Sequence, residues 1–192
     1  AECACALKES GLRLSAALCG ADTGSLIWTN TGTGALLTAV EGAVYHTRKG
    51  DIVTSPLEHP ALESVLRRVA QREGRALHFC KAGRDGQLDL DSLEAVLNEN
   101  TALLAVHHVQ SETGTLQDLK AIRGILDRKA PNAVFLADTI QSIGKIRVPW
   151  TEARLDIMTL SGQKIGCPSG GALVYRPVLD KSMKRIRTLE HR

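Results

Sequence analysis

Lys164 and Asp138 are the two residues whose chemistry least suits the runs they follow. Lys164 stands in Ser161-Gly162-Gln163-Lys164-Ile165-Gly166, between the mainly apolar stretch 155–160 and Gly170-Gly171-Ala172-Leu173-Val174-Tyr175. An apolar run, a small polar turn and a β-rich run read as strand, loop, strand, which predicts Lys164 as a buried side chain at a strand end. An ammonium withdrawn from water loses proton affinity, and a lysine so placed becomes a nucleophile toward carbonyl compounds. Taken alone, Lys164 reads first as a solvated loop residue beside glycines. Asp138 ends the continuous apolar run 133–137, the pattern of a parallel strand covered on both faces. Ligands of open α/β sheets sit at the carboxyl ends of strands. A carboxylate there needs donors or a cation, and a protonated pyridine nitrogen is one such cation. An aspartate that merely caps the following turn is the alternative.

Two further segments have the right residue types for a binding site. Thr31-Gly32-Thr33-Gly34 opens a helical pattern, and the free N–H groups of such a start, with a threonine hydroxyl, suit a phosphate; a plain strand-to-helix turn is the alternative. It is not a dinucleotide fingerprint, because the third small residue would fall on Leu37. His59 precedes Pro60 at another helix start, where it caps the helix or exchanges protons near neutral pH.

Glu58-His59-Pro60-Ala61, the segment 108–114 (His-Val-Gln-Ser-Glu-Thr-Gly), the segment 137–146 and Ser161-Gly162-Gln163-Lys164 resemble, in this order, the motifs of the cysteine desulfurases. These are pyridoxal-phosphate (PLP) enzymes of the class V aminotransferase group, and the resemblance runs from about Leu26 to Tyr175. It implies a PLP-dependent transferase large domain of fold type I, an α/β/α sandwich. In that family a lysine at the place of Lys164 forms a Schiff base with PLP, and an aspartate at Asp138 keeps the ring nitrogen protonated. The resemblance further implies that Gln141 and Ser111 bond the ring hydroxyl or substrate. Thr33, Ser161 and Gln163 would hold the phosphate, while His59 would lie against the ring face; Lys164 and His59 are thus the implied catalytic residues. The implied reaction removes sulfur, or selenium, from cysteine or selenocysteine. A class V transamination of another amino acid and a truncated, non-catalytic relic of the fold are the alternatives. An amino-acid substrate, a second copy in a homodimer and a sulfur-acceptor protein are the implied partners.

The chain departs from the family where two asparagines are replaced by Gln110 and Ser111, and where a histidine before the lysine is replaced by Gln163. Glutamine donates through its amide but carries no charge, so weaker retention of the cofactor is expected. The family's sulfur-accepting cysteine and carboxylate-binding arginine lie beyond the lysine motif. The expectation is therefore a single PLP-binding core over residues 1–192, without the family's N-terminal segment and C-terminal small domain. Cys167, three residues past Lys164, receives no role.

Bulk properties bound the remaining possibilities. At 192 residues, one sizeable core is the natural reading. A formal charge of +3 with 3% aromatic residues gives no basis for a nucleic-acid groove. No apolar run approaches the roughly 20 residues of a membrane span, and the first residues do not resemble a secretion signal, so a soluble cytoplasmic protein is expected. Five cysteines at irregular spacing do not suggest a disulfide framework. Cys3 and Cys5 would diverge on a helix, and His107 and His108 would face opposite ways on a strand, so no metal centre is expected.

The elements that must position these residues follow from periodicity and turn chemistry. Strands are predicted over 25–29, 51–55, 75–80, 101–108, 133–137, 155–160 and 170–175. Helices are predicted over 1–19, from 31 towards 45, and over 61–72, 89–98 and 117–129, with a solvated terminal helix over 180–192. Strands separated by helices in this way specify an α/β fold, a mostly parallel sheet with helices on both faces.

Overall fold

A computed structural model of the chain describes residues 2–22, 24–167 and 169–190. The expectations for the side chains of Cys3 and Arg187, and for residues 191–192, lie outside the described residues. In chain order the elements are α1 (Glu2–Cys19), β1 (Ser25–Thr29), α2 (Gly32–Thr47), β2 (Asp51–Thr54), α3 (Pro60–Glu73), β3 (Leu77–Phe79), α4 (Leu90–Val96), β4 (Thr101–His107), α5 (Leu119–Lys129), β5 (Val134–Asp138), β6 (Ile157–Ser161), β7 (Gly171–Tyr175) and α6 (Asp180–Glu190). The strands form one sheet in the order β1-β7-β6-β5-β4-β2-β3. Every pairing is parallel except those of β7, which runs antiparallel to both β1 and β6. Among the described residues, no helix is long and apolar enough to cross a membrane.

The central strands are apolar throughout because both of their faces are covered. Leu103 and Ala105 of β4, with Val134 and Leu136 of β5, pack under α2 and α3. Leu104, Val106, Phe135 and Ala137 pack on the opposite face, with Leu119, Ile122 and Leu126 of α5. Continuing the alternation by one step puts the ladder partners His107 and Asp138 on the α2 and α3 side, where each strand ends.

Local sequence sets the helix boundaries. His59 caps α3 and Pro60 occupies its first turn, where a missing N–H costs nothing. Leu62, Val65, Leu66 and Val69 then bury one stripe, each fully buried side chain worth about 1.5–3 kcal/mol. Gly74 ends the helix at φ 63°, a left-handed conformation that glycine adopts without strain. Asp118 caps α5 by accepting the N–H groups of Lys120 and Ala121.

One connection for which no element was predicted, and two departures from the sequence expectation, stand out. No helix joins β5 to β6; the irregular segment 139–156 does so, and Ile143, Val148, Trp150 and Ala153 take a helix's place on the sheet. Its chain is tied down by Trp150 Nε1 donating to Asp22 O at 2.8 Å and by Phe135 N–H donating to Asp156 Oδ2 at 2.8 Å. The terminal helix α6 is not simply solvated, because Leu179 just before it, Met183 and Ile186 are buried and α6 packs on α2. Gly42 leaves the space for that contact: a Cβ there would lie 2.3 Å from Met183 Sδ. Finally, β3 and α4 are shorter than predicted, since β3 is an edge strand only three residues long.

Candidate active site

A cavity of about 320 Å³ lies at the carboxyl ends of the parallel strands, under the start of α2 and beside the start of α3. All the site residues expected from the sequence line it: Thr33, His59, Ser111, Asp138, Gln141, Ser161, Gln163 and Lys164. Chain order alone separates them by more than a hundred residues. The sheet brings them together because β1, β2, β4, β5 and β6 all end on the same side.

Asp138 is the acidic end of the cavity. It is buried, and Oδ1 accepts from the backbone N–H of Ile140 at 3.1 Å and from the hydroxyl of Thr159 at 2.9 Å. Burial raises its pKa above the usual carboxylate range, against the opposing pull of those two donors. The turn-capping alternative is also realised, since the Ile140 bond is such a cap. A carboxylate held this way, with hydrogen bonds arriving at one oxygen, is suited to a cationic N–H.

The other end is built for an anion. Thr31 caps α2, its Oγ1 accepting from Gly34 N–H at 3.0 Å and its carbonyl from Ala35 N–H at 3.0 Å. The N–H groups of Gly32 and Thr33 precede these in the first turn, beside the hydroxyls of Thr33 and Ser161. The cradle is close-fitting. A Cβ on Gly32 would lie 3.0 Å from Ser161 Cβ and 3.1 Å from Ile140 Cδ1, and one on Gly171 would lie 2.3 Å from Thr31 O.

Between the two ends the structure corrects one expectation. Lys164 is exposed rather than buried, because it sits on a 3-10 turn, Gly162–Ile165, past the end of the fully buried β6. Its side chain lines the cavity from the mouth. Gln141 accepts from Lys145 Nζ at 3.0 Å through Oε1, which leaves its amide NH₂ to donate. His59 Nδ1 accepts the N–H of Ala61 at 3.1 Å, so Nε2 is the nitrogen left to the cavity. Gln110 folds the loop that carries Ser111, accepting from the N–H groups of Glu112 at 2.5 Å and Thr113 at 2.7 Å.

Sequence reasoning missed His107 as part of this site, although the divergence of His107 and His108 is as expected. His107 lines the cavity, whereas His108 lines a separate groove with Leu116 and Lys120. Behind His107 a buried chain of hydrogen bonds links Ser55, Glu58 and Gln117. The available signal was a histidine ending an otherwise apolar strand.

Residues 11–189 match the model of the aminotransferase class-V family. The chain belongs to that family. Class-V aminotransferases are in general pyridoxal-phosphate proteins. Among the relatives of this class-V chain, a cysteine desulfurase of Nostoc sp. is 36% identical over 163 residues, 84% of this chain and 40% of its own length. The cysteine desulfurase IscS of Pectobacterium atrosepticum is 37% identical over 164 residues, with the same coverage of 84% and 40%. The apo cysteine desulfurase from Thermococcus onnurineus NA1 superposes with a TM-score of 0.80 at 26% identity, over 94% of this chain and 45% of that one. The chain thus spans about 40% of the length of the curated relatives it matches.

Proposed function

We propose that this chain is the cofactor-binding core of a PLP-dependent cysteine desulfurase. The observation that supports it is a single cavity with a buried carboxylate at one end, an anion cup at the other and a lysine at the mouth. Its volume of about 320 Å³ lies within the range of small-cofactor sites. The residues fit the group. Asp138 would take the ring N–H, and the NH₂ of Gln141 would donate to the ring hydroxyl. The first N–H groups of α2, the hydroxyls of Thr33 and Ser161, and the Gln163 amide would hold the phosphate. His59 would lie against the ring, and Ser111 would donate to the ring hydroxyl or substrate.

Once bound, PLP supplies an electron sink for the Cα of an amino acid. Lys164 Nζ is the amine that would hold the aldehyde carbon and later move the substrate Cα proton. Its place at the mouth lets it reach both the cavity and an entering amino acid. His59 Nε2, free of the helix cap, is positioned to exchange a second proton. Cysteine is the substrate this reading carries over from the relatives' activity. A homodimer, a sulfur-acceptor protein and a cytoplasmic setting belong to the same proposal. The groups that bind the substrate carboxylate and accept sulfur are assigned to parts of the relatives beyond the matched span.

Sodium borohydride reduction of protein incubated with PLP, followed by peptide mapping, is expected to leave the pyridoxyl mass on Lys164. The mass on another lysine, or none at all, overturns the assignment. Sulfide release from cysteine would support desulfuration. Cofactor retained on Lys164 without sulfide release would leave a transamination of another amino acid as the better reading.

A further inference from the structure

The buried chain behind His107 has a direction that its geometry fixes. The Gln117 amide is oriented by two backbone groups, Nε2 donating to Gly86 O at 2.8 Å and Oε1 accepting from Leu88 N–H at 3.0 Å. Reversing the amide would set donor against donor and acceptor against acceptor. Its NH₂ therefore faces His107 Nε2, at 3.1 Å, and that nitrogen must offer a lone pair. The proton of the neutral imidazole then sits on Nδ1 and goes to Glu58 Oε1 at 2.9 Å.

Glu58 is the end of the chain. Its side chain is wholly buried, and Oε1 also accepts from the Ser55 hydroxyl at 2.5 Å. Its second oxygen, Oε2, is buried without a hydrogen-bond partner. Both donors to Glu58 are neutral, and among the described residues no lysine or arginine pairs with it. The geometry leaves this acid without a cationic partner, an arrangement that is costly for a buried carboxylate unless something positive comes near. His107, its hydrogen-bond partner, faces the cavity as the ladder partner of Asp138.

We propose that Glu58, held through His107, is a positioning residue that adds a second negative pole behind Asp138 and so favours a cationic aromatic nitrogen on the cavity floor. This rests on the PLP reading and extends it to a residue outside the cavity wall. The charge of Glu58 is felt by its neighbours: after burial, it is among the influences that raise the Asp138 carboxyl, and it also helps push the Cys80 thiol up to about 11.

The experiment compares the affinities of PLP and its 1-deaza analogue, which lacks the ring nitrogen, for the wild-type chain and for Glu58→Gln. A glutamine can still accept from Ser55 and His107 while removing the charge. A long-range ¹H–¹⁵N spectrum of each apo protein checks this, with His107 expected as the neutral Nδ1–H form in both. The preference of the wild type for PLP over the analogue is expected to fall on the order of tenfold in Glu58→Gln, the scale for removing one partly screened unit charge. An unchanged preference, or a His107 protonated on Nε2, overturns the proposal while leaving PLP binding intact. Failure of both compounds to bind the wild type instead overturns the PLP reading on which it stands. His107→Phe, which removes the link but leaves the acid, gives a second measure; an unaltered preference there together with a reduced one in Glu58→Gln rules out action through His107.

Discussion

The hydroxyl of Thr159 donates to Asp138 Oδ1 at 2.9 Å from the neighbouring strand, where the two residues are direct ladder partners. The same Thr159 gives its carbonyl to the Thr139 hydroxyl at 2.6 Å, so the strand end and the turn after Asp138 are stitched by one residue. A buried carboxylate with a raised pKa is thereby kept in one orientation.

Thr159→Val keeps the shape of the side chain and removes the donor. The apo protein is expected to lose about 1–3 kcal/mol of stability, the range for stranding a buried acceptor. PLP affinity is expected to fall roughly tenfold, because an acid less able to ionise attracts a ring cation less well. Urea denaturation and an absorbance titration with PLP measure the two effects. Unchanged values in both would mean that the Thr159 bond does not matter to Asp138.

His108 makes the chain sensitive to acid. Burial, and then the proximity of His107, lower its pKa from 6.5 to about 4, and its Nδ1 has no hydrogen-bond partner. The unfolded chain therefore binds a proton in the window between those values and the folded chain does not. The stability contributed by neutral His108 is complete above about pH 6.5 and is lost as the pH falls towards 4. Between pH 7 and pH 4 the wild type should lose about 3 kcal/mol more than His108→Leu. Parallel urea series at several pH values check this, and equal slopes would refute it.

Two glycines distinguish rigid from yielding neighbours. A Cβ at Gly171 would meet the Thr31 carbonyl at 2.3 Å and the Gly32 nitrogen at 2.8 Å, both backbone atoms of the anion cup. A Cβ at Gly42 would meet Met183 Sδ at 2.3 Å, on a flexible side chain that can turn away. Gly171→Ala is expected to destabilise by about 1–3 kcal/mol and to weaken PLP binding; Gly42→Ala should lower the melting temperature less and leave binding unchanged. Equal effects on binding would contradict the cup's place at the start of α2.

Much of this arrangement was legible in the sequence, for a reason that can be stated residue by residue. Asp138 and Ser161 end apolar runs, and a run covered on both faces can only be an inner strand, so their place at a strand end follows from pattern alone. Thr31 and His59 stand at predicted helix starts, and each caps its helix through a side-chain acceptor. The ordered motifs around His59, Ser111, Gln141 and Lys164 pick out residues that the fold brings to one cavity.

The chain's own sequence thus determined which segments are strands and helices, because hydrophobic period and capping are local properties. Tertiary structure decided what no local rule reaches. It put Lys164 at the exposed mouth, since a 3-10 turn carries it past the strand that was expected to bury it. It laid the segment 139–156 on the sheet without a helix and packed α6 against α2 through Met183. It also assembled Ser55, Glu58, His107 and Gln117, residues up to 62 positions apart, into one buried chain. Such contacts depend on how strands are ordered across the sheet, and that order is a property of the whole packed core rather than of any segment.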